Sequence, residues 1–140
     1  MFRTSHSVTT LASLDEIWNL VKDVTEWHKW LLGVEAVQLH GPLAAGVSGL
    51  MHQGGGMVNQ IHVRKFDPGY LEITVDLRFG VKMNLLVVVS REQQWSRVKL
   101  EGELRGKMAI LHIWGVGNDL KTGLVPATRR LGALAQGQNI

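Results

Sequence analysis

Gln60, His62 and Arg64 alternate along one stretch of the chain. Period-two spacing puts all three on one face of a strand. An imidazole that titrates near neutral pH can take and return a proton, as enolisation or aldol closure of a carbonyl compound requires. A neighbouring guanidinium can clamp a carboxylate or enolate through two parallel hydrogen bonds. His62 and Arg64 are therefore the candidates for acid/base work and anion binding. The same pair also reads as a ligand contact without chemistry, or as a structural hydrogen-bond pair in a wet cavity. A second concentration lies in Asp23–Gly33, where Trp27, His28 and Trp30 crowd a short segment. Core, metal site and pocket wall are the three readings of it.

Metal chemistry has little to stand on. His28, His40, His52 and His112 show no ligand spacing, and no HExxH pattern occurs. His6 alternates with Phe2, Thr4 and Val8 and reads as a satisfied sheet residue. Cysteine is absent, which excludes disulfides, Fe–S clusters and thiol nucleophiles. Gly54-Gly55-Gly56 lacks the following Lys and Ser/Thr of a phosphate loop and reads as a flexible hairpin, placed where it could gate a cavity mouth. No cofactor is expected.

Elements must position these residues. The 140 residues suit one domain, 1–140, and a chain of this size buries roughly 68–70% of its unfolded surface. Net charge is +3, and the only adjacent basic pairs are Arg64-Lys65 and Arg129-Arg130, too dilute for a nucleic-acid face. The N-terminus lacks an apolar signal core. No stretch approaches the ~20 apolar residues of a membrane span. A soluble, cytoplasmic protein is expected, and a homodimer is compatible with the sequence.

Phe2–Thr10 reads as a strand. Ser13 and Glu16 form a capping-box pattern ahead of a helix to about Asp23. Val24–Trp30 is a second short helical piece, ended by Gly33. Six further strands follow at Val34–Leu39, Val47–His52, Val58–Phe66, Leu71–Arg78, Lys82–Ser90 and Trp95–Arg105. Short turns separate them, so they form an antiparallel meander. A C-terminal helix spans about 108–135, with a start near Asn118-Asp119 as the competing reading. Met108 and Trp114 fall on it as core or lid. The result is an α+β fold: a curved sheet with a long helix across it and a hollow between.

The turn Asp67-Pro68-Gly69-Tyr70 sets a register. Continuing it regularly pairs His62 with Val75 and Arg64 with Ile73. Leu71, Ile73, Val75 and Leu77 must face the core, so Gln60, His62 and Arg64 would point inward with them. The alternative is a slip that turns Ile61 and Val63 inward and the polar set to solvent. The turn favours the inward stripe. Further on, Val98, Leu100, Gly102 and Leu104 should face inward. Met83, Leu85 and Val87 inward is the plainer choice for their strand.

Three segments carry a resemblance: SLDEIWNLVKDVTEWHKW (Ser13–Trp30), FDPG (Phe66–Gly69) and VPATRRLGALA (Val125–Ala135). With them the chain resembles the helix-grip superfamily of START domains, the birch-pollen allergen and polyketide cyclases/dehydrases (SRPBCC), and within it bacterial cyclase/dehydrase-like proteins. The resemblance implies a cavity whose wall includes the Trp after the first helix, here Trp27, with Trp30 packing behind it. It also implies that the strand before the Asp-Pro turn faces the cavity with Trp, Ser and Arg. Those positions hold Gln60, His62 and Arg64, so Arg alone matches. With the inward-facing Val75, Leu77 and Leu100 and the helix residue Trp114, the expected ligand wall is Trp27, Gln60, Val75, Leu77, Leu100 and Trp114. The implied function is a cyclase/aromatase-like enzyme acting on an apolar carbonyl compound. A non-enzymatic carrier of a lipid, quinone or other hydrophobic metabolite is the alternative, and a protein–protein regulator the third.

Overall fold

The computed structural model describes residues 2–31, 33–77, 80–106 and 118–137, without the side chains of Phe2 and 118–124. β1 is Phe2–Thr10, α1 Leu14–Lys22 and α2 Trp27–Trp30. β2 to β7 are Val34–Leu39, Ser48–Gln53, Val58–Asp67, Tyr70–Asp76, Lys82–Arg91 and Ser96–Arg105. The described part of the last helix, α3, is Asn118–Ala135. Residues 108–117, including Trp114, lie outside the described residues.

Local chemistry sets the junctions. Ser13 Oγ accepts from Glu16 N at 3.1 Å and Glu16 Oε1 accepts from Ser13 N at 3.1 Å, the reciprocal cap expected for α1. Ile17, Trp18 and Val21 form its buried face. Asp23 Oδ1 then accepts from Thr25 N and starts a single 3₁₀ turn, Val24–Glu26, that leads into α2. Gly33, at φ 81°, takes the left-handed conformation that turns the chain into β2.

Seven antiparallel strands run in the order β1-β7-β6-β5-β4-β3-β2. Consecutive strands from β2 to β7 pair as hairpins, while β1 returns beside β7. β1 and β2 therefore lie on opposite edges, and α1–α2 must span the width of the sheet between them. α3 packs on β1 and β7 and touches α1 and α2. A hydrogen bond ties it to β1: Thr10 Oγ1 donates to the Gly132 carbonyl at 3.1 Å. Ile61, Val63, Ile73, Val75, Leu85, Val87, Val98 and Leu100 join Trp27, Trp30 and Leu131 in one core.

The register of β4 corrects the regular pairing. Phe66 faces Leu71 and Lys65 faces Glu72, as the turn dictates, but then Val63 faces Ile73, His62 faces Thr74 and Ile61 faces Val75. Arg64 is the extra residue of a β-bulge, where one strand gains a residue without shifting its partner. Beyond it every side chain changes face. Ile61 and Val63 are buried, Gln60 and Arg64 are exposed and His62 is half-buried. The inward polar stripe of Gln60, His62 and Arg64 is thus overturned. It would have left a guanidinium in the core, whereas the bulge buries two apolar side chains on each strand. In β6 and β7 the inward sets are as expected, and Lys82 and Asn84 lie outside.

Candidate functional site

Two places concentrate polar chemistry on the sheet: the inner face near α2, and a row across the outer face.

On the inner face the tryptophans come first. Their rings meet edge-on, with centroids 6.3 Å apart and planes at 63°. Both are buried, at 0% and 1% exposure. Trp27 spends its indole N–H on the Val21 carbonyl at 2.7 Å. Trp30 Nε1, equally buried, has no acceptor among the described residues. A buried donor left unpaired costs about 1–3 kcal/mol. Val75 and Leu100 are fully buried on this face, and Leu77 is half-buried against the same core. Trp18 stacks on Phe66 at 5.7 Å and pins α1 to the end of β4.

The bulge also turns Asn59, which alternates with Ile61, to the inner face. Asn59 faces Met51 across the ladder, donates to Gln53 Oε1 at 3.2 Å, and Gln53 Nε2 reaches Met51 Sδ at 3.5 Å. This small polar cluster lies where β3 and β4 meet the Gly54–Gly56 turn. Among the described strand residues that the pairing puts on the inner face, the ionisable ones are His6 and, at the exposed rim, Arg91.

On the outer face Ser48, His62 and Thr74 are direct neighbours across β3, β4 and β5. Ser48 Oγ lies 2.8 Å from His62 Nδ1, and Asp76 Oδ2 lies 3.0 Å from His62 Nε2. Lys82 Nζ holds the other Asp76 oxygen at 3.1 Å. Burial works against the Asp76 charge, but hydrogen bonds from His62 and Lys82 together outweigh it and hold the carboxyl below its usual range. Arg64 Nε donates to Thr74 Oγ1 at 3.1 Å, and Thr74 donates to Asn84 Oδ1 at 2.7 Å.

Farther along, Glu103 is 6% exposed and bound by Arg3 at 2.8 Å and by Arg105. The hydrogen bond from Arg105 leads, and with Arg3 it outweighs burial, so the Glu103 carboxyl is held below the usual range. This cluster lines a cleft of about 220 Å³, where two arginines face three glutamates, Glu72, Glu101 and Glu103. Among the described residues no group of three or more His, Asp or Glu could hold a metal ion. No described helix is long and apolar enough to cross a membrane.

Sequence reasoning missed Trp30 Nε1, Gln53, Asn59, Ser48 and Asp76 as site-forming atoms. A signal for the exchanged faces was present. Ile61 and Val63 are odd-numbered and Phe66 is even-numbered, so one strand cannot bury all three without an irregularity between them.

A curved seven-stranded antiparallel sheet, two short helices bridging its edges and a long C-terminal helix across it define a helix-grip fold. The chain belongs to the family described as polyketide cyclase/dehydrase and lipid transport, whose model matches residues 1–136. Solved structures share the fold at low identity. A protein from Mesorhizobium loti superposes with TM-score 0.76 at 13% identity, covering 99% of both chains. DynU16, from the dynemicin biosynthetic locus, gives 0.74 at 20% identity over 99% of this chain and 49% of its own. The di-domain aromatase/cyclase StfQ of the steffimycin biosynthetic pathway gives 0.77 at 9%, over 97% of this chain and 51% of its own. No curated protein sequence matches the chain.

Proposed function

We propose that this protein binds an apolar, carbonyl-bearing small molecule between the inner face of its sheet, α2 and α3. The observation that carries the reading is the Trp30 indole N–H: buried, unpaired among the described residues and set in an apolar wall. A ligand carbonyl would satisfy it, and few other groups on that wall compete for one. Trp27 then acts as wall, its own N–H being committed to Val21. Family membership supports the ligand class. Binding without chemistry is the leading form, because the bulge puts His62 and Arg64 on the other side of the sheet. Cyclisation or dehydration is the second form. It is favoured by His6, a half-buried imidazole that pairing places on the inner face opposite Leu100.

Mass spectrometry of material released from the purified protein tests the first form, together with titration of a hydroxylated anthraquinone as a fluorescent probe. Saturable binding, with the compound recovered unchanged, supports a carrier. Cyclisation or dehydration of an added poly-β-ketone by the wild type but not by His6→Ala supports catalysis. No saturable binding of released or added compound overturns both.

A further inference from the structure

We propose that Ser48, His62 and Asp76 form a nucleophilic triad on the outer face of the sheet that hydrolyses small acyl esters. The three residues sit on adjacent strands β3, β4 and β5, which hold side chains more rigidly than loops do. Asp76, ionised and also gripped by Lys82, accepts the His62 Nε2–H at 3.0 Å. That contact fixes the tautomer and leaves the Nδ1 lone pair facing the Ser48 hydroxyl at 2.8 Å. A hydroxyl, a base within hydrogen-bond reach and a carboxylate orienting that base are the requirements for an activated serine. Nδ1 faces the serine and Nε2 the carboxylate, the reverse of the serine proteases, so the two imidazole nitrogens exchange the base and the anchored roles. His62 and Asp76 side chains are 29% and 31% exposed, so an ester can approach from solvent.

The reaction balances with water alone. Ser48 Oγ bonds to the ester carbonyl carbon while its proton passes to His62 Nδ1. The C–O bond to the alcohol breaks, and the alcohol leaves with that proton. Water then attacks the acyl-serine and gives a proton to Nδ1. Ser48 regains it as the carboxylic acid departs.

The test uses the full chain with p-nitrophenyl acetate and a fluorophosphonate probe. The wild type should hydrolyse the ester about 10²-fold faster than Ser48→Ala, the lower range of a positioned general base. It should also carry a single phosphonyl adduct on the peptide containing Ser48. His62→Ala should lose the adduct although Ser48 remains, with circular dichroism confirming its fold. Equal rates in wild type and Ser48→Ala, or no adduct on Ser48 in the wild type, would overturn the proposal. Neither readout depends on an interior ligand.

Discussion

Trp30 and Glu103 are both buried polar groups, and they differ in whether the described chain answers them. Trp30 does not find an acceptor. Trp30→Phe removes the donor but also shrinks the buried indole to a phenyl ring, so relief of the unpaired N–H and loss of packing oppose each other, and the ligand-free protein should change in stability by no more than about 2 kcal/mol. The same change should weaken binding of the anthraquinone probe roughly 3–10-fold, the worth of one neutral hydrogen bond. Urea denaturation and fluorescence titration read the two effects separately, and equal losses in both would remove Trp30 from the binding role. Glu103 has two arginines. Glu103→Gln should cost about 1.5–3 kcal/mol at pH 7, the range for hydrogen bonds to a charged group. Because the Glu103 carboxyl titrates lower when folded than when unfolded, this stability is complete above the ordinary glutamate value of about 4.3. It fades as pH falls through that value toward the lower folded one. Denaturation at pH 7 and pH 3 should show the gap between wild type and variant narrowing in acid.

At the scale of elements the bulge in β4 decides the most. Removing Arg64 would join Val63 to Lys65, whose partners Ile73 and Glu72 are already adjacent. The deletion should heal the strand, keep Ile61 and Val63 inward and cost only about 0.5–3 kcal/mol. Cooperative thermal unfolding of the deletion variant measures this, and a chain that no longer unfolds cooperatively would contradict the assigned bulge. Gly49 is a second pressure point. A Cβ there would lie 2.0 Å from the Gln38 carbonyl oxygen, so Gly49→Ala should force β2 off β3. The expected loss is at or above the upper end of the 1–3 kcal/mol usual for overpacking, again by thermal denaturation. Strand positions and the α1 cap were legible because period two, period 3.6 and the Ser13–Glu16 spacing are local signals. The β4 register was not, because the turn at Asp67–Tyr70 fixes pairing only as far as the first irregularity. The apolar parity of Ile61, Val63 and Phe66 outweighs it.

For the whole molecule, the family and fold were legible from segments spread along the chain, and the model match over residues 1–136 agrees with them. The polar atoms of the inner face were harder to see. Trp30 Nε1 is defined by what three-dimensional packing withholds from it, and Asn59 by a change of face set five residues away. If the interior holds a ligand, loading should stabilise the entire fold by mass action, about 2.7 kcal/mol at a hundredfold excess over Kd. Calorimetry of stripped and anthraquinone-loaded protein measures this as a rise in Tm. An unchanged Tm under saturating probe would mean that the probe does not bind the native fold in preference to the unfolded chain, and would remove the interior site.

The first strand of the chain pairs with the last one. Arg3 binds Glu103 across a separation of 100 residues, and every β1 partner lies between Ser96 and Arg105. On the ribosome, β1 is therefore made first and paired last. Until β7 has emerged, its backbone donors and acceptors lack their ladder, and β2 to β6 can zip as local hairpins without it. Closure of this long loop pays its entropy before it gains contacts, which makes it the slow event in folding. A chain interrupted before Ser96 would present β1 as a loose, Thr- and Val-bearing strand, ready to pair with a neighbour.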